Sequence, residues 1–201
     1  IKKSQENKNQ IIQNSEAPAL DKNEETQKIS RSEALNEYER VKFENSNVEG
    51  SISLEGGIID DLKFKKYTKT LNGDDNVILL NPRKSENGYF VETGWVTNNK
   101  NIDLPNSKSL WKIQGNKKLS PNNSIKIFWT NDQGIKFEKI ISIDDQFLFT
   151  IDHVITNTTN KTYNFYPYGQ IIRNIAPEVT NFYILHEGLL GVFDEQLVEK
   201  D

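Results

Sequence analysis

His153 and His186 are the only imidazoles in this 201-residue chain, and there is no cysteine. Thiol nucleophiles, disulfides and zinc sites of the Cys type are therefore excluded, and any metal site would have to be completed by carboxylates. His186-Glu187-Gly188 lacks the second histidine four residues on that a metalloprotease helix requires. His and carboxylate can share general acid–base work, but neighbours on a strand point to opposite faces, so His186 and Glu187 are expected to diverge. His153 lies on an apolar strand face and is expected to be a hydrogen-bonded, half-buried core residue. The pairs Asp60-Asp61, Asp74-Asp75 and Asp144-Asp145 do not meet the requirement of glycosidic chemistry for two acids converging on one bond; they read as turn caps and solvated edges. No Gly-x-Ser-x-Gly elbow, dinucleotide fingerprint or phosphate loop is present. Trp95, Trp111, Trp129, Phe165, Tyr166 and Tyr168 have the chemistry to stack on sugars, but large aromatics at strand spacing read first as core. From the residues, we expect no catalytic side chain, no cofactor and no metal.

The elements that carry these residues follow from the distribution of apolar side chains. Only six of the first 40 residues are Leu, Ile, Val or Phe, against 28% of the whole chain, so a core is expected from about residue 41 onward. Residues 1–40 read as a polar linker, with room for one or two marginal helical turns between Ser32 and Arg40. Net charge is −4, with acids and bases interspersed, which argues against nucleic acid and against a polybasic membrane-surface segment. No apolar run exceeds four residues, far short of the roughly 20 of a spanning helix. Ile, Asn and Lys make up a third of the chain, so the three Asn-x-Ser/Thr triplets at Asn122, Asn157 and Asn160 carry no weight. A chain that starts at Ile1 and contains no Met is expected to be a piece of a longer protein.

From Val41 the pattern alternates with period 2. Strands are expected around Val41–Phe43, Val48–Leu54, Ile58–Tyr67, Val77–Leu80, Tyr89–Thr97, Ser109–Ile113, Ile125–Thr130, Ile135–Ile143, Phe147–Thr156, Tyr163–Arg173, Asn181–His186 and Leu190–Phe193, separated by Gly-, Pro- and Asn-rich breakers. About a dozen short strands without a helical period describe an all-β antiparallel sandwich or barrel. The clearest hairpin joins Ile135–Ile143 to Phe147–Thr156, with Phe137, Lys139, Ile141 and Ile143 on one face and Phe147, Phe149, Ile151, His153 and Ile155 sharing a face of the other strand.

Four colinear segments add a resemblance. Gly50–Leu62 (GSISLEGGIIDDL), Leu79-Leu80-Asn81-Pro82 with Tyr89–Trp95, Phe165-Tyr166-Pro167-Tyr168-Gly169, and Phe182–Val192 together resemble the periplasmic domain of the bacterial membrane protein insertase family YidC, in its alphaproteobacterial form. The match runs from about residue 41 to 198. Ile58 departs from the basic or polar residue common after Gly-Gly in the family, which bears only on the local strand edge. The resemblance implies an antiparallel β-supersandwich of the galactose-mutarotase-like architecture, here shortened on its C-terminal side and so left with an open sheet edge. It also implies a first membrane helix upstream of a linker at 1–40, and a parent protein in the bacterial inner membrane with this domain on the periplasmic side. The activity implied is membrane protein insertion, in which a polar groove within the membrane helices lowers the cost of moving hydrophilic segments into lipid. The partners implied are Sec translocon components and nascent membrane proteins. A sugar mutarotase or carbohydrate-binding domain on the same fold is the competing expectation, and a surface adhesion module a weaker third.

Overall fold

The computed structural model describes residues 28–175 and 189–200. The expected strand Asn181–His186, with His186 and Glu187, lies outside the described residues.

Among the described residues there is one short helix, α1 (Arg31–Asn36), ahead of the first strand. Ser30 caps it: its hydroxyl accepts from the Glu33 amide while the Glu33 carboxylate accepts from the Ser30 amide, a reciprocal capping box. The rest is strand: β1 (Arg40–Glu44), β2 (Val48–Ser53), β3 (Ile58–Thr68), β4 (Asn76–Leu80), β5 (Tyr89–Val96), β6 (Lys112–Gln114), β7 (Lys118–Leu119), β8 (Ile125–Thr130), β9 (Ile135–Ile143), β10 (Phe149–Asn157), β11 (Tyr166–Arg173), β12 (Leu189–Phe193) and β13 (Gln196–Lys200). The all-β expectation holds, and most strands fall within two residues of the alternating runs. Phe147 does not join β10. It sits in the β9–β10 loop, with its ring edge-on to Phe64.

Two sheets form. The larger runs β11-β5-β3-β2-β1-β7, with β4 also on β3, and the smaller runs β10-β9-β8-β6. Pairing is antiparallel except that β7 lies parallel to β1, Lys42 opposite Lys118 and Phe43 opposite Leu119. So short a pair has no period to read, which is why alternation alone did not reveal it. Among the described residues, β12 and β13 pair only with each other.

The inner faces of the two sheets make one core. Val41, Phe43, Val48, Ile52, Ile59, Leu62 and Trp95 of the large sheet meet Ile125, Ile127, Ile135, Phe137, Ile141 and Ile143 of the small one, with alternate residues facing inward as a half-buried pleat dictates except across the bulge of β3 between Ile59 and Leu62. Gly50 is fixed by close approach, because a Cβ there would lie 1.9 Å from the Asp61 carbonyl oxygen and 2.6 Å from the Phe43 ring. Beyond Ser51 the β2–β3 register slips by one residue, so that Ser51 faces Asp61 while Ile52 faces Ile59. Asp60 is the extra residue of this bulge.

Buried Asn45 ties the sheets together at one end. Its amide nitrogen donates to the carbonyls of Asp144 (2.8 Å) and Gln146 (2.9 Å), and its Oδ1 accepts from the amides of Asn47 and Val48, both at 2.8 Å. All four hydrogen-bonding positions of the side chain are filled, and the β1–β2 turn is clamped to the β9–β10 loop.

Candidate functional site

Two polar clusters stand out, one between the sheets and one on the outer face of the large sheet.

The inner cluster centres on Lys139, which the alternation of β9 turns into the core between Phe137 and Ile141. Its side chain is buried as completely as theirs, at 1% exposure. The amine crosses to the opposite sheet and donates to the carbonyls of Gly57 (2.9 Å) and Thr93 (2.7 Å), with Nζ 4.8 Å from the centre of the Trp111 ring. Burial brings its pKa down to about 7, with the charge of Glu92 acting in the opposite direction. Two acceptors satisfy both N–H donors of a neutral amine, and the aromatic face beside them suits the charged form. Gly57 has φ of +60°, and a Cβ there would stand 2.9 Å from the Trp111 indole nitrogen. Glycine thus lets the turn carbonyl reach Lys139 while the indole lies against the turn.

His153 is the cross-strand partner of Lys139. It is half-buried, its Nε2 lies 3.0 Å from the Thr93 hydroxyl, and its ring centre is 4.5 Å from that of Trp95. Burial, and then the charge of Lys139, hold its pKa below the ordinary imidazole value, with Asp152 opposing. Asp152 points to the other face of β10, so among the described residues no convergent carboxylate completes an acid–base pair. The expectation of a hydrogen-bonded core histidine describes what is found. Around this cluster the aromatics act as core: Trp95 stacks on Trp111 at 6.4 Å and lies tilted against Phe137 at 5.2 Å, and Phe165 meets Phe137 edge-on at 5.4 Å. No open sugar platform is formed by them.

The outer cluster corrects the reading of Asp60-Asp61 as a solvated edge. The bulge places both carboxylates on the outer face, beneath α1. Asp60, 3% exposed, pairs with Arg40, whose Nε also donates to the Ser51 hydroxyl at 2.8 Å. Asp61 accepts from Ser51 Oγ (2.7 Å) and pairs with Arg31 of α1. Next to them Glu55 is shared between Arg83 (3.5 Å) and Lys84 (3.4 Å). Burial raises the Asp60 pKa, with Arg40 opposing. The other pairs keep their expected places: Asp74 and Asp75 are exposed in the β3–β4 turn, and Asp144 Oδ1 accepts from the amides of Gln146 (2.8 Å) and Leu148 (2.9 Å). Among the described residues no group of three or more His, Asp or Glu could hold a metal ion.

Sequence reasoning placed Lys139 on the inner face without drawing the consequence. The available signal was a lone lysine inside the apolar set of a β-strand; that His153 lies opposite it is set by the observed register. For the outer cluster the signal was weaker, because a bulge leaves no mark on the apolar pattern.

Every buried charge described here is committed to a partner within the fold, so fold and polar clusters together define a two-sheet β domain whose ionic groups brace it. Residues 40–201 match the family model of the YidC periplasmic domain. Over its full length the chain is 54% identical to the membrane protein insertase YidC of Pelagibacter ubique, covering 36% of that protein. It is 38% identical over 162 residues to the namesake of Mesorhizobium japonicum, covering 80% of this chain and 27% of that one. It is also 38% identical over 164 residues to that of Rickettsia akari, covering 81% and 29%. The chain belongs to the YidC periplasmic domain family. It spans about a quarter to a third of the length of these curated relatives.

Proposed function

We propose that the chain is the extracytoplasmic, non-catalytic domain of a membrane protein insertase, held on the periplasmic side of the bacterial inner membrane. In this reading its parent inserts and folds inner-membrane proteins, and the domain serves as a rigid scaffold beside the insertase helices. Nascent membrane proteins are its substrates and Sec translocon components its docking partners. The polar stretch ahead of β1, residues 1–40 by composition, carries the tether to a preceding membrane helix in this reading. The observation that carries the reading is the match of residues 40–201 to the YidC periplasmic domain family, together with similarity over the whole of this chain to part of one YidC protein. The braced core fits it: a scaffold must keep its shape without a ligand, Lys139 and Asn45 tie the two sheets to each other, and the Arg40–Asp60 pair braces the large sheet on its outer face. No helix among the described residues is long and apolar enough to cross a membrane. A mutarotase reading finds no support in the His153 site, which has no facing carboxylate among the described residues.

The test is complementation. The full-length parent is expressed in cells depleted of their own insertase, and insertion of an inner-membrane reporter is followed by protease protection. Restored insertion is expected, and a parent that is made and membrane-bound but leaves the reporter uninserted would sink the proposal. Photocrosslinkers at exposed positions such as Leu71 and Ile171 then read the partners: adducts with translocon subunits or nascent chains are expected, and their absence from every position removes the docking role.

A further inference from the structure

The segment ahead of β1 differs in kind from the domain it lies on. From Arg40 onward the chain is core, with Val41 and Phe43 at most 1% exposed. Residues 29–37 bury only Ala34 fully and hold on by polar contacts. The Ile29 amide donates to the Lys84 carbonyl at 3.2 Å, beside an isolated bridge to Ser85. Arg31 donates to Asn81 Oδ1 (3.1 Å) and pairs with Asp61, and Lys84 Nζ lies 2.7 Å from Glu37 Oε1. Packing is incomplete beneath it, where a small polar cleft between α1 and the sheet is lined by Ala34, Glu37, Arg40, Asp60, Arg83 and Lys84. Partly exposed ion pairs contribute little and are screened by salt, and a six-residue helix is marginal without packing. The domain below does not depend on these contacts, since Asp61 keeps Ser51 and Lys84 keeps Glu55 when the segment leaves.

We propose that residues 29–37 form a releasable strap, docked on the outer face of the large sheet by the Arg31–Asp61 and Lys84–Glu37 pairs and able to detach while the two-sheet core stays folded. Release adds nine residues to the tether, up to about 30 Å of reach at the extended-chain rise. That consequence rests on reading the chain as a tethered domain; the strap itself does not.

Amide hydrogen exchange on the whole chain tests it. In wild type, raising NaCl from about 50 mM to about 0.5 M, where the screening length falls from roughly 14 Å to 4 Å, is expected to speed exchange across 29–37 several-fold. Amides of β1 and β9 should not change. Arg31→Gln is expected to speed exchange in the strap about tenfold at low salt and to remove most of its salt response. Glu37→Gln, a change at an exposed position, should act in the same direction more weakly. Strap exchange that rises only together with that of β1 and β9 would show the segment to be part of the cooperative core and overturn the proposal. Strap exchange unmoved by salt and by both variants would overturn it too. Failure of the complementation assay would leave this result standing, so the two are separable.

Discussion

Replacing Lys139 by Met removes an amine that native packing prefers neutral and that the unfolded chain holds charged at neutral pH. In the native state its pKa is about 7, against an ordinary 10.5. Between those values the unfolded chain binds a proton that the native state has released, so stability rises with pH through this window and is lowest, for this group, below about 7. The slope approaches 1.4 kcal/mol per pH unit. Worked between pH 7 and 9, the gain is about 2 kcal/mol. With a urea dependence of about 2 kcal/mol per molar, the wild-type midpoint should climb by roughly 1 M across that range. In Lys139→Met the climb should vanish. The variant also leaves the Gly57 and Thr93 carbonyls without the amine, at about 1–3 kcal/mol for each buried group left unpaired. It should therefore be clearly less stable than wild type at pH 9, with the gap narrowing toward pH 7. Urea melts followed by tryptophan fluorescence suit the assay, since Trp95 and Trp111 lie beside the amine. The window avoids His153, which acts below pH 6.5, and Tyr168, whose phenol is pushed up by burial and by its hydrogen bond to Glu92 and which acts above 10. Equal pH slopes in the two proteins would refute the reasoning.

Asn45→Asp keeps the two accepted bonds but sets a carboxylate against the carbonyls of Asp144 and Gln146; a loss of about 2–4 kcal/mol in thermal or urea denaturation is expected, and a loss below 1 would show the clamp to be dispensable. Gly50→Ala must force β2 and β3 apart at the Asp61 carbonyl, so a loss above about 3 kcal/mol, or failure to accumulate as soluble protein, is expected. His153→Phe keeps the contact with Trp95 and removes a group whose native pKa is depressed. Wild-type stability should fall as pH drops below 6.5, where only the unfolded chain takes up the proton, and the variant should lose part of that fall in urea midpoints compared at pH 5.5 and 7.

The strands were legible because alternation is a local property: residues two apart share a face whatever lies opposite. The β9–β10 hairpin could be read to its strands and their faces, but a loop of only Asp144 to Gln146 would have set Ile143 opposite Phe147, whereas the longer loop aligns Ile143 with Phe149 and Lys139 with His153. What stayed hidden depended on which surfaces meet. Composition carried the linker through residue 40, yet Ile29 and α1 lie docked on the sheet through partners 30 to 55 positions away. The Asp60-Asp61 pair looked solvated because sequence shows neither the bulge that turns both carboxylates outward nor the helix above them.

By itself the sequence determined an all-β chain, its core-forming stretch and, through four spaced segments, its family. The tertiary structure alone decided what the charges do. Lys139 is one more polar residue in an alternating strand until the second sheet brings Gly57, 82 positions away, within hydrogen-bonding distance. Burial and the approach of distant carbonyls change the energy of a charge by several kcal/mol, and both are properties of the packed sheets.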